Sequence, residues 1–91
     1  MDMIWKKWNI VGIVQGVGFR HFVKNSAKLI GVKGYIKNEA DGSVTIVAGG
    51  NIEQLNELLK RAIEGNGWSY VYRVDENDLS PQEYTDFHVE F

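Results

Sequence analysis

The hydrophobic period of this chain switches between two and 3.6 residues in one order, and that order leaves few folds open. Trp5 to Ile13 alternates like a strand, with Trp8, Ile10 and Gly12 on one side and Asn9, Val11 and Ile13 on the other. From Phe19 the spacing becomes helical: Phe19, Phe22, Val23, Ala27 and Ile30 share a face, and Gly31 stands at the expected stop. Val32 to Asn38 predicts a second strand, Asp41-Gly42 a hairpin turn, and Ser43 to Ala48 a third strand that Gly49-Gly50 should break. Asn51 with Gln54 reads as a capping pair for a second helix. Its stripe is Ile52, Leu55, Leu58, Leu59, Ala62 and Ile63, and Gly65 ends it. Tyr70 to Asp75 predicts a fourth strand, Asn77 to Asp86 a polar loop with the only proline, and Phe87 to Phe91 a short closing strand.

The order is therefore β-α-β-β-α-β with an added C-terminal strand. It specifies an α+β, ferredoxin-like sandwich with both helices on one face of an antiparallel sheet. That fold hosts many functions and settles none. Ninety-one residues suggest a single domain over 1–91. Without cysteine the chain has no disulfide, thiolate nucleophile or cysteine-zinc site, and His21 and His88 are too few for a histidine-only one. Neither a metal nor a cofactor is expected. Near the start, the longest strongly apolar run is Ile10 to Val14, too short for a membrane span or signal core, so a cytoplasmic protein with no membrane partner is expected. The expected state is a monomer.

A net charge of −2 argues against a nucleic-acid partner. Its distribution is uneven: residues 1–37 carry +6 and residues 38–91 carry −8. A positive half suggests an anionic ligand near the first elements, although folding can equally interleave the halves and mix the charges.

The segment richest in chemistry is Gly12-Ile-Val-Gln-Gly-Val-Gly-Phe-Arg20, between the first strand and the first helix. The opening N–H groups of a helix lack internal partners and, with the helix dipole, favour an anion. Gly16 and Gly18 let successive amides converge into a nest, and the planar fork of Arg20 can grip a phosphate bidentately. A dinucleotide fingerprint would need glycine at His21, and no Gly-Lys-Ser/Thr of a nucleotide P-loop is present. Gly18-Phe19-Arg20-His21-Phe22 loosely matches an RNA-recognition string but enters a helix rather than the third strand. The bland reading is a tight turn with a solvated arginine, and for Asn38 an ordinary turn residue.

This string, followed by Gly34-Tyr35-Ile36-Lys37-Asn38 and Asp41-Gly42-Ser43-Val44, resembles the acylphosphatase family. The specific likeness runs from Gly12 to about Ala48. The resemblance implies hydrolysis of the carboxyl–phosphate anhydride of an acyl phosphate to carboxylate and inorganic phosphate. It implies that Arg20 binds the phosphoryl group, that Asn38 positions the attacking water, and that the amides of Gln15, Gly16, Val17, Gly18, Phe19 and Arg20 complete the cradle. The chemistry is coherent: a carboxylate leaves without a general acid, and a held water can pass its proton to the substrate's own phosphate oxygens. A neutral amide at Asn38 can accept from water where a carboxylate would repel the substrate.

Gly65-Asn66-Gly67-Trp68-Ser69-Tyr70 departs from the Gly-Pro stretch usual in that family, which touches acyl preference more than activity. Trp68, Tyr70 and Tyr72 are expected in core or cross-strand packing, Lys24 and Lys28 on a solvated face, His21 exposed, and Asp75 to Asp78 in a solvated loop. Three other readings stay open: a noncatalytic sensor of a phosphorylated metabolite, the acylphosphatase-like part of a carbamoyl-handling maturation protein, and an RNA-binding sheet.

Overall fold

Alternation in Ile4–Ile13 buries Trp8 and Ile10 on one side of strand β1 and Trp5 on the other. The computed structural model describes residues 3–91; Met1 and Asp2, the first positions of the expected domain, lie outside the described residues. After β1 follow α1 (Phe19–Ile30), β2 (Lys33–Asn38), β3 (Val44–Gly50), α2 (Ile52–Glu64), β4 (Tyr70–Leu79) and β5 (Phe87–Glu90). The sheet runs β4-β1-β3-β2-β5, antiparallel except for β5, which pairs with β2 in parallel. This is the expected ferredoxin-like sandwich with one strand added at its edge.

Register explains the core. Trp8 sits opposite Ile46, Ile10 opposite Val44, and Ile36 opposite Ile46, so one sheet face presents a continuous apolar layer. Phe19, Val23 and Ala27 of α1 and Leu55, Leu58 and Ala62 of α2 close over it, each at most 1% exposed. Each large side chain so buried stabilises the fold by roughly 1.5–3 kcal/mol relative to exposure. The expected cap of α2 is present: the Asn51 side chain accepts from the Gln54 backbone N–H while the Gln54 side chain accepts from that of Asn51.

The sequence expectation fails in three places. Gly49-Gly50 does not break β3, because Gly49 lies opposite Trp5 and the indole occupies the space a side chain would need, within 2.6 Å of an ideal Cβ. The acidic stretch is not a solvated loop. β4 runs on to Leu79, where Lys6 Nζ donates to Glu76 at 3.1 Å and Asp78 at 3.0 Å, and Trp8 Nε1 donates to Glu76 at 2.7 Å. Nor do Trp68, Tyr70 and Tyr72 pack in the core: they are 78%, 60% and 65% exposed at and beside the edge strand β4, where the Tyr70 and Tyr72 rings lie 4.9 Å apart between centroids. The loop before β5 crosses the outer sheet face, where Tyr84 packs 6.0 Å from Trp5 and 5.5 Å from Tyr35 between ring centroids.

Candidate functional site

Three elements meet around the loop between β1 and α1. Gly16 (φ 74°) and Gly18 (φ 76°, ψ 14°) both take the left-handed conformation, which glycine adopts without a side-chain clash. They flank Val17, whose φ is negative. Alternation of this kind turns consecutive peptide N–H groups to one side and builds an anion nest. The first helical backbone bond runs from Phe22 N–H to Gly18 carbonyl. Among the described residues, no N–H from Gln15 to His21 donates to another part of the chain. The first turn of α1 also lacks an acidic residue, whereas that of α2 carries Glu53. The loop thus presents a row of unpaired donors at the positive end of a helix dipole.

Two side chains brace the loop from opposite flanks. Gln15 Nε2 donates to the backbone carbonyls of Glu39 at 2.8 Å and Ser43 at 2.9 Å, tying the loop to the β2–β3 hairpin. Asn66 Nδ2 donates to the Val17 carbonyl at 2.9 Å, while its Oδ1 accepts from the N–H groups of Trp68 and Ser69. In a planar trans peptide the carbonyl and the following N–H point opposite ways, so the hold on Val17 aims the Gly18 N–H away from Asn66. Asn66 lies in the stretch that departs from the family pattern, and the sequence reading missed its contact with the loop. No signal along the chain pairs positions 17 and 66.

Asn38 ends β2, and strand alternation places it with Ile36 on the helix-bearing face. Its Oδ1 is buried and accepts no hydrogen bond from the described residues. An acceptor buried without a partner costs about 1–3 kcal/mol, so this atom is suited to a bound donor such as water. The turn that follows is firmly set: Glu39 N–H donates to Ser43 carbonyl at 2.8 Å, and the Asp41 carboxylate accepts from both the hydroxyl and the N–H of Ser43. Those bonds, the hydroxyl first, hold the Asp41 carboxyl below its usual range.

Arg20 makes no ion pair among the described residues; its guanidinium lies 5.0 Å over the ring of Phe91. It lines a cleft of about 490 Å³ between α1 and β5, together with Gly16, Gly18 and Phe19. Gln15, Val17 and Asn38 are not among its walls. The structure therefore brings the loop and Arg20 to one cleft and leaves Asn38 outside its walls, on the hairpin that Gln15 ties to the loop through Glu39 and Ser43. His21 is exposed, as expected, and also lines the cleft. Lys24 and Lys28 line the cleft as well; their places four and eight residues after Arg20 were the available signal. Among the described residues no group of three metal-ligating side chains converges, and no helix is long and apolar enough to cross a membrane.

Comparison with known proteins finds relatives in sequence and in fold. The acylphosphatase family profile covers residues 6–89. An acylphosphatase of Fervidobacterium nodosum is 72% identical over 88 residues, spanning 97% of both chains. The structure of an acylphosphatase from Coxiella burnetii superposes with a TM-score of 0.92 at 29% identity, covering 98% of this chain and 94% of that one. Full-length HypF in its phosphate- and nucleotide-bound form contains the same fold, with a TM-score of 0.88 at 29% identity over 99% of this chain but 12% of HypF.

Proposed function

This chain belongs to the acylphosphatase family and is a hydrolase of acyl phosphates; we propose that the Gln15–Arg20 loop holds the phosphoryl group and Asn38 holds the attacking water. The observation that carries this reading is the unbroken row of unpaired amides in the loop, shaped by Gly16 and Gly18 and followed directly by Arg20. Amide donors fixed in place before the reaction stabilise the negative charge on the phosphoryl oxygens without reorganising as it shifts. Arg20 leaves Phe91 and donates two parallel hydrogen bonds to the same oxygens. The buried Oδ1 of Asn38 accepts from the water and directs its lone pair at phosphorus.

The water oxygen forms a bond to phosphorus as the bond from phosphorus to the acyl oxygen breaks, and the acyl oxygen leaves as a carboxylate with the bonding pair. The water's proton passes to a nonbridging phosphoryl oxygen, and inorganic phosphate departs. No protein base is required, since the substrate supplies the acceptor. The same reading gives one domain acting as a monomer, with no cofactor, metal or nucleic-acid partner.

The test is turnover of acetyl phosphate by Arg20→Lys and Asn38→Ala. Each variant should fold with a native melting curve and lose at least about 100-fold in kcat/KM. Native turnover by either removes it from the reaction. A phosphate-binding module, the reading favoured by HypF containing this fold as a small part, would instead show tight phosphate binding and no hydrolysis by the unaltered chain.

A further inference from the structure

Arg20, Lys24 and Lys28 stand at i, i+4 and i+8 on α1, and all three line the cleft that opens at Gly16 and Gly18. At 1.5 Å per residue their Cα atoms are about 6 Å apart along the helix, so the cations form a line leading away from the loop. Like charges one turn apart repel, and the stripe works against the stability of α1. Neither lysine forms an ion pair within 4 Å of a carboxylate among the described residues. Across the cleft the one acidic side chain among its described wall residues, Asp86, lies 3.6 Å from His88 Nδ1, and His88 is itself a wall residue. The floor is apolar, from Phe87 and Val89 of β5. The cleft therefore combines the glycine loop and Arg20, apolar side chains of Phe87 and Val89 that suit a short carbon chain, and the two lysines that follow Arg20 along α1.

We propose that this cleft is the acyl subsite and that it selects acyl phosphates whose acyl half carries a second anionic group, a carboxylate or a phosphate, held by Lys24 and reached by Lys28. The inference rests on the proposed phosphoryl site and adds the substrate class to it. Lys24 stands about 6 Å along α1 from Arg20, a separation that three or four bonds beyond the reacting carbonyl can span. The tail takes no part in bond breaking; it sets affinity and orientation, and electrostatic attraction of this kind weakens with salt.

Succinyl phosphate and butanoyl phosphate share a four-carbon acyl chain and differ in the terminal carboxylate. At low ionic strength the unaltered chain should show at least tenfold higher kcat/KM for succinyl phosphate. The ratio should fall at least fivefold in the double variant Lys24→Gln, Lys28→Gln, and should also fall between about 0.02 and 0.3 M salt in the unaltered chain. A ratio near one in the unaltered chain overturns the proposal, as does a double variant whose ratio stays within twofold of it. The outcome is separable from that of the phosphoryl site: Arg20→Lys with native turnover of butanoyl phosphate would remove the premise whatever the ratio, whereas a flat ratio with a crippled Arg20→Lys removes the anionic tail alone.

Discussion

The side-chain amide of Gln15 lies 2.8 Å from the backbone carbonyl of Glu39, the residue immediately after Asn38. With its second bond to the Ser43 carbonyl, this contact ties the amide loop to the hairpin that begins where Asn38 ends β2. In Gln15→Ala the two carbonyls keep their hairpin partners, Gly42 N–H on Glu39 and Glu39 N–H on Ser43. The expected loss of stability is only about 1 kcal/mol. A shift of the hairpin by a fraction of an ångström should cost more in chemistry, with kcat/KM for acetyl phosphate falling roughly 10- to 100-fold. Thermal unfolding and steady-state kinetics on the same preparation separate the two effects. Full activity in this variant would mean that the hairpin positions itself.

Asn66 offers a cleaner separation, because its two halves do different things. Asn66→Asp keeps the acceptor for Trp68 and Ser69 and loses the donor to Val17, while Asn66→Ala loses both without adding charge. Both variants should weaken inhibition by inorganic phosphate about tenfold, since the Gly18 amide is no longer aimed. Only the alanine variant should also unfold several degrees earlier. Phosphate inhibition within twofold of native in both would reduce Asn66 to a turn residue.

Acid should find a weak point far from the site. The Trp8 indole, and then the Lys6 ammonium, hold the Glu76 carboxyl below its usual range. A carboxylate whose folded value is depressed stabilises the protein above the ordinary glutamate range, and that contribution is lost as pH falls through the depressed value. Glu76→Gln should therefore lower the melting temperature at pH 7 by a few degrees and flatten its decline toward pH 3. Since the carboxylate is partly exposed, the effect at pH 7 should be about 1 kcal/mol or less. An equally steep acid decline in the variant would assign the slope to other carboxylates.

Gly49 tests the packing of the outer sheet face. A Cβ there would lie 2.6 Å from three carbons of the Trp5 ring, so Gly49→Ala must push the indole off the sheet and disturb its packing with Tyr84. Overpacking of this kind costs about 1–3 kcal/mol. Tryptophan fluorescence should shift with the loss of stability, and an unchanged melting curve would show that the indole yields freely.

Local patterns in the chain predict local features well. The capping pair at Asn51 and Gln54, the Asp41-Gly42 turn, the start of α1 at Phe19 and the glycine loop all depend on neighbours within a few residues, and all appear where expected. Two of the errors share a cause: each concerns a residue whose role is fixed by a distant strand. Gly49 is extended because Trp5 needs its space, and Glu76 and Asp78 stay in β4 because Lys6 and Trp8 hold them. The braces on the candidate site are of the same kind, since Gln15 reaches 24 and 28 positions along the chain and Asn66 reaches back 49. Lys24 and Lys28 gain their second role only because β5 closes the cleft opposite them.

The two braces on the loop also bear on how the protein matures. On the proposed reading, the amides from Gln15 to Arg20 should take their working shape only after the hairpin has docked on one flank and the turn after α2 on the other. During refolding, helix and sheet signals should consequently recover before turnover does. A chain cut off ahead of Asn66 would keep every residue of the glycine string yet hold it in no fixed form, so catalysis here serves as a late and sensitive gauge of whether the whole architecture has been assembled.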